Sequence, residues 1–347
     1  MPTAISTPTL FPALTPEYIL SFQFSSWFPK FSHRSIQSTT IRPLSKEFCE
    51  YLNSDGVVVP EGSEDLPAES TLSDEDDDDD EDAEEGQHYN FPDLDVRIRQ
   101  VISEYGSVFP KLNFSSPKDA SWILPASSPL KCTCPADVYL LLKSSDFVTH
   151  DLSKDSIFEG CEPLPSNSSP PYELELVLRK WYSVDRSREF RCFVRQDVLL
   201  GISQRDFNYY DFLNEPATRG QIVTAVTQFW QTNIKGKWES RGDYTFDILL
   251  TRDLSRGHIV DFNPYAPRTD PLLFTYEELL TLLTNDRSST PLLKVIDSRS
   301  HPAATRNTPA NQHNMVPFEA LALSSGRDIE QFSDLWQEEI QKSVVDE

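Results

Sequence analysis

Two aspartates and an asparagine carry the most chemistry for their spacing. In Tyr244-Thr-Phe-Asp-Ile-Leu-Leu and His258-Ile-Val-Asp-Phe-Asn-Pro-Tyr265, apolar residues alternate around Asp247, Asp261 and Asn263. If the two runs fold back on each other about Leu254, Asp247 faces Asp261. Asn263, two residues further on, then shares their face, while Phe246, Ile248 and Phe262 take the apolar one. Carboxylates in such surroundings are costly to bury unpaired. Mg²⁺ resolves this, because it accepts one or two carboxylates and an amide oxygen and completes its octahedron with water and phosphate. A salt bridge from Arg191 or Arg205 to Asp261 resolves it as well, and the hairpin alone leaves both readings open.

Cations suited to phosphate lie at the ends of other apolar runs. Lys111 closes Val108-Phe-Pro-Lys and leads into Asn113-Phe-Ser-Ser-Pro-Lys-Asp-Ala-Ser-Trp122, a loop of small residues that offers backbone N–H groups and hydroxyls. Lys143, Arg179, Arg191 and Arg205 each sit in or at the end of an expected apolar strand. Arginine stays charged and forks onto phosphate oxygens. One such cation reads as an ordinary surface group; several beside an acid-acid-amide hairpin point to an anionic ligand.

The elements that must position these groups follow from periodicity. Leu94, Ile98, Val101 and Ile102 have helical spacing, as do Ile222, Val223, Val226, Phe229 and Trp230. Val108–Lys111 reads as a short strand, Glu173–Trp181 as a strand central to a sheet, and 190–206 as a hairpin turning at Gln196-Asp197. Phe22–Phe31 holds five aromatics in ten positions and is expected to be a strand or turn plugging the core, or else an exposed patch for a partner. Strands and helices with antiparallel hairpins give an α+β class. Residues 1–19 read as a loose leader, 20–284 as the body, 285–325 as a Ser/Thr/Pro/Asn-rich linker and 326–347 as a terminal amphipathic helix and tail.

Composition excludes several function classes. The 347 residues carry 31 Lys+Arg against 55 Asp+Glu, a net charge of −24, and Asp74–Glu85 holds 11 acids in 12 positions. So negative a chain repels phosphate backbones, and no direct nucleic-acid partner is expected. Residues 60–92 read as an acidic disordered loop, in which Ser73 precedes Asp74-Glu75-Asp76 as acidophilic kinases favour. No apolar run reaches the ~18 residues of a spanning helix, five cysteines fit a reducing compartment, and a cytoplasmic, monomeric protein is expected. The 11 glycines are never closer than six positions apart, so no dinucleotide-binding, P-loop or nucleophile-elbow motif exists. Cys132-x-Cys134 has no second ligand pair nearby for zinc.

In order along the chain, FPKLNFSSPKDASWI, LLLKSSDF, ELVLRKW, EFRCFV, GISQRD and VDFNPY resemble the cell division cycle protein 123 (D123) family. FQFSSWFPKF is similar to that family's opening segment, and the resemblance spans roughly residues 20 to 283. It implies an ATP-grasp-like fold of two lobes with antiparallel sheets, a lobe boundary near residue 180 and a nucleotide cleft between the lobes. ATP and Mg²⁺ are the implied cofactors. The implied role is an assembly chaperone that docks on the gamma subunit of eukaryotic translation initiation factor 2, supporting initiation and cell-cycle progression.

The same resemblance makes Lys111 a phosphate lysine and Asn113–Trp122, with Ala120 and Trp122, the loop covering the phosphates. Glu175, Leu178, Arg179 and Trp181 belong to the implied hinge strand beside adenine, with Lys143 on the ATP side. Arg191 and Arg205 are the implied phosphate arginines and Asp247, Asp261 and Asn263 the implied metal triad. ATP-grasp ligases carry a glycine-rich cover loop and usually an acidic pair in the hinge, whereas this chain has no glycine between Gly106 and Gly160 and places Arg179 in the hinge. A ligase forming an acyl phosphate on a carboxylate is the alternative reading, and an acidic scaffold with a degenerate site a third. Trp27 and Phe28, or Phe332 and Trp336 of the terminal helix, are the expected partner anchors.

Overall fold

The computed structural model describes residues 9–64, 88–125, 127–162, 172–238, 242–285 and 290–305. The acidic run, Ser73 and the expected terminal helix with Phe332 and Trp336 lie outside them. Of these, the residues up to Arg205 together with those of Pro216–Lys294 form one unit, and Asp206–Glu215 with those from Val295 on form a second.

The first unit holds two sheets. β1 (Ser38–Ile41), β2 (Val108–Lys111) and β3 (Leu176–Lys180) make an antiparallel sheet of order β1-β3-β2. Leu176, Val177 and Leu178 are fully buried in its central strand, as their unbroken apolar run requires. Pro110 cannot donate to a ladder, and β2 accordingly lies at an edge. β4 (Glu189–Arg195), β5 (Val198–Gln204), β6 (Tyr244–Leu250), β7 (Gly257–Pro264) and β8 (Leu292–Lys294) form the larger sheet, of order β7-β6-β4-β5-β8. All its pairings are antiparallel except β5–β8. Gln196 and Asp197 take positive φ angles of 50° and 58°, the left-handed pair that a two-residue hairpin turn demands.

Helix Pro92–Tyr105 starts on proline, where the missing N–H is harmless, and ends at Gly106 with φ 81°. It packs with helix Pro135–Lys143 on the smaller sheet, around Phe48, Tyr51, Phe91 and Tyr139. Helix Pro216–Asn233 buries Ile222, Val226, Phe229 and Trp230 as its spacing predicts. In the second unit, the Asn214 side-chain amide donates to the Ile296 carbonyl at 2.9 Å.

Three expectations change. Phe24–Phe31 is a helix, although its aromatics do plug the core: Phe24, Trp27 and Phe31 are buried, and Trp27 and Phe31 pack on Phe262. Alternating aromatics and Pro29 suggest a strand, but three neighbouring rings at helical spacing need one buried face, which tertiary packing supplies. The leader is not loose throughout. Pro16–Leu20 is a helix capped by Thr15, Tyr18 and Ile19 are buried, and the Thr9 carbonyl accepts from Arg195 at 3.1 Å. The expected linker contains β8, whose Leu293 is buried beside Ile202.

Candidate functional site

The expected hairpin forms about Leu254, which takes φ 59°, and Asp247 pairs with Asp261 and Thr245 with Asn263. Phe246, Ile248 and Phe262 are buried on the opposite face. β4 extends the row, because Arg191 lies opposite Asp247. A line of charge, Arg191–Asp247–Asp261, therefore crosses three adjacent strands and faces a cleft of about 420 Å³.

The carboxylates have cationic partners of their own, and not those expected. Asp247, not Asp261, takes both arginines. Arg191 Nε and Nη2 donate to its two oxygens at 2.8 and 2.9 Å, and Arg205 Nε donates to Oδ2 at 3.0 Å. Burial alone would raise the Asp247 pKa; the two guanidinium groups overcome it and hold the carboxyl well below the usual range. Asp261 instead receives Lys111 Nζ at 2.8 Å, and the same ammonium donates to the Phe114 carbonyl. Glu189 completes the cluster at 3.2 Å from Arg205 and 3.9 Å from Lys118. Its burial, too, is outweighed by Arg205 and Lys118, and its pKa is lowered.

The cluster has more positive charge than its carboxylates neutralise. Lys111, Lys118, Arg179, Arg191 and Arg205 face Asp146, Asp247, Asp261 and Glu189, an excess of one cation. Lys118 is pushed down, by burial on the cleft wall and by the Arg205 guanidinium. Because 38% of its side chain is open to water, the repulsion is the cause that carries weight. Arg179 is 3% exposed and donates Nη1 to the Val260 carbonyl at 2.8 Å, while its Nε and Nη2 are buried without a hydrogen-bond partner. Buried guanidinium donors beside an open cleft are what a phosphate ligand satisfies. With two carboxylates and an amide on the hairpin, the donor set fits a polyphosphate carried with a hard cation.

Six residues named from the sequence line this cleft: Arg179, Arg191, Arg205, Asp247, Asp261 and Asn263. Lys111 is 1% exposed and reaches the site through Asp261. Asn113 is a buried peg that accepts from Glu175 N at 2.9 Å and donates to the Glu173 carbonyl at 2.8 Å. Glu175 accepts from Ser25 N at the start of helix Phe24–Phe31, and burial raises its pKa. Leu178 and Ala120 are core residues, Trp122 is exposed, and Trp181 Nε1 donates to the Pro129 carbonyl.

Lys143 ends a helix, not a strand, and its ammonium donates to the Tyr51 and Ser54 carbonyls, outside the cleft lining. Its run VYLLLK is apolar on every side, a pattern in which a short buried helix and a strand read alike. Phe114, Ser115, Ser116 and Lys118 of the expected cover loop also line the cleft, and the structure adds Phe109, opposite Arg179 in the β2–β3 ladder, together with Asp146, Phe147, His150 and Val260. Strand alternation could have found Phe109 from Lys111 and Glu189 from Arg191, both two residues apart. No periodicity marks Phe147 and His150.

Residues 27–324 match the D123 family. This chain belongs to the D123 family. Among curated relatives, a Schizosaccharomyces pombe protein is 35% identical over 95% of this chain and 98% of its own length. A Xenopus tropicalis protein is 37% identical over 92% and 95%, and one from Botryotinia fuckeliana 40% identical over 84% and 71%. All three are named translation initiation factor eIF2 assembly protein. Among solved structures, Cdc123 from Schizosaccharomyces pombe is similar with a TM-score of 0.66 and 32% identity, covering 83% of this chain and all of that one. Like that structure, this D123 chain mixes helices with antiparallel sheets. No helix among its described residues is long and apolar enough to cross a membrane.

Proposed function

We propose that this chain is an assembly chaperone of eukaryotic translation initiation factor 2, docking on the gamma subunit and carrying ATP with Mg²⁺ in the cleft of an ATP-grasp-like fold. The observation that carries the nucleotide reading is Arg179, whose buried and unpartnered guanidinium donors line a cleft already in cationic excess. Near-full-length similarity to proteins named for eIF2 assembly supports the chaperone role.

In this reading Asp247, Asp261 and Asn263 hold the metal, and Arg179, Arg191, Arg205 and Lys118 hold the phosphates. A hard cation held by these residues would supply charge to offset that of the phosphate oxygens. Lys111 orients Asp261 and ties the loop after β2 to it. Arg191 and Arg205 hold Asp247 ionised, which a hard-cation ligand must be. A binding role is favoured over ligase turnover because the Phe114 and Ser115 backbone N–H groups are occupied by the Asp151 carboxylate. A ligase needs such donors aimed at the transferred phosphoryl group.

Two measurements test the proposal. Calorimetric titration is expected to give saturable ATP binding with Mg²⁺, lost on Asp261→Ala while the variant still melts cooperatively. Unchanged ATP affinity in that variant would overturn the site. Pull-down with isolated subunits is expected to retain gamma alone, and capture of alpha or beta but not gamma would overturn the partner.

A further inference from the structure

Asp151 is fully buried, yet the metal and phosphate roles above do not use it. It stands near the end of helix Asp146–Leu152 and points into the start of the loop after β2. Its Oδ2 accepts from the backbone N–H groups of Phe114 at 2.7 Å and Ser115 at 2.9 Å, and its Oδ1 accepts from Ser115 Oγ at 2.7 Å. His150 Nδ1 lies 3.3 Å from Oδ1. Consecutive amides around one carboxylate form an anion nest, here filled by the protein itself. The tie is reciprocal: Asp119, within the loop, accepts from Ser145 Oγ at 2.5 Å and Phe147 N at 3.2 Å at the start of the same helix. Phe114, Ser115, Ser116 and Lys118 from the loop, and Phe147 and His150 from the helix, line the cleft together.

We propose that Asp151 is a positioning residue for anion binding in the cleft: it fixes the turn at Phe114–Ser115, so that Ser115, Ser116 and Lys118 are held facing the phosphates while Asp151 itself touches no ligand. The proposal rests on the nucleotide reading above. The charge of the carboxylate matters because both amides meet one oxygen: an asparagine can keep those two contacts, and donate its NH₂ to the Ser115 hydroxyl, only as weaker neutral bonds. Charge-assisted bonds to a buried acceptor are among the stronger ones, so their loss lets the loop relax. The adenosine moiety does not depend on that turn, and the defect therefore follows the phosphates.

The experiment compares Asp151→Asn with wild type by calorimetric titration of ATP–Mg²⁺ and of adenosine, with hydrogen exchange read at the Phe114 and Ser115 amides. Asp95→Asn is the control, a buried carboxylate that accepts from Tyr139 Oη at 2.6 Å and does not line the cleft. Asp151→Asn is expected to weaken ATP by about tenfold or more, leave adenosine unchanged and deprotect both amides. Asp95→Asn is expected to leave ATP affinity and the Phe114 and Ser115 amides unchanged. ATP affinity unchanged in Asp151→Asn, or equal losses for ATP and adenosine, would overturn the positioning role while leaving the nucleotide reading standing. Failure of wild type to bind ATP–Mg²⁺ would overturn that reading and the proposal with it.

Discussion

Replacing Arg191 with leucine tests the charge row most directly. The substitution removes two bonds to Asp247, at 2.8 and 2.9 Å, and a third to the Asp270 carbonyl at 2.9 Å. It leaves Asp247, 1% exposed, with Arg205 alone at 3.0 Å. Breaking a buried pair from one side destabilises by about 3–5 kcal/mol, because the remaining charge stays buried. The surviving Arg205 bond places this case at the lower end, about 3 kcal/mol. For a body of this size that is a melting shift of roughly 6–12 °C. Urea denaturation of Arg191→Leu, Asp247→Leu and the double variant forms the assay. The double variant removes both charges and leaves Arg205 paired with Glu189 at 3.2 Å, so it should recover half or more of the loss. A single variant within about 1 kcal/mol of wild type, or a double variant equal to the sum of the singles, would refute the argument.

The same pair sets an acid limit. Asp247 and Glu189 titrate below their ordinary values of 3.8 and 4.5 in the folded state, so their stabilisation is present above those values and lost as pH falls through the folded ones. Urea midpoints should drop steeply below about pH 4 in wild type and less in Asp247→Asn. Lys118→Ala should weaken ATP–Mg²⁺ about fivefold while barely moving the melting temperature, as its 3.9 Å contact to Glu189 is partly exposed; equal affinity in titration would remove Lys118 from the site. Gly257→Ala should lose about 1–3 kcal/mol, because a Cβ there meets Ile248 Cδ1 at 2.7 Å. Gly220→Ala, with nothing within 4 Å on its helix, should gain about 0.5–1 kcal/mol, and calorimetric melting separates the two.

Strand periodicity made the charge-bearing hairpin legible. Alternation of two residues put Asp247, Asp261 and Asn263 on one face, and the symmetry about Leu254 set their register. Which cation each carboxylate takes was not legible. Arg191 meets Asp247 only because β4 lies beside β6 on the side away from β7, and strand order is a tertiary property. Lys111 reaches Asp261 across 150 residues, between two different sheets. Local pattern also failed at Phe24–Phe31, where burial against β7 selects a helix over the strand that its aromatics favour. Asp151 gave no signal, since one acid in a short helix looks like any surface acid until its amide partners are known.

The aromatic helix near the amino terminus has a consequence for how this chain is made. Phe24–Phe31 leaves the ribosome early, but the rings that cover it belong to Trp238 and Phe262. Phe262 follows Trp27 by 235 positions of sequence. At about 5–20 residues per second, the nascent segment waits roughly 10–50 s with its indole and phenyl rings uncovered. Glu175, which caps the first turn of that helix, arrives more than halfway through the interval. Cotranslational folding can therefore complete the smaller sheet before the aromatic helix has the Trp238 and Phe262 rings to dock on. A chain arrested before β7 should be a strong substrate for Hsp70-type holdases at that helix, and release should coincide with synthesis of Phe262.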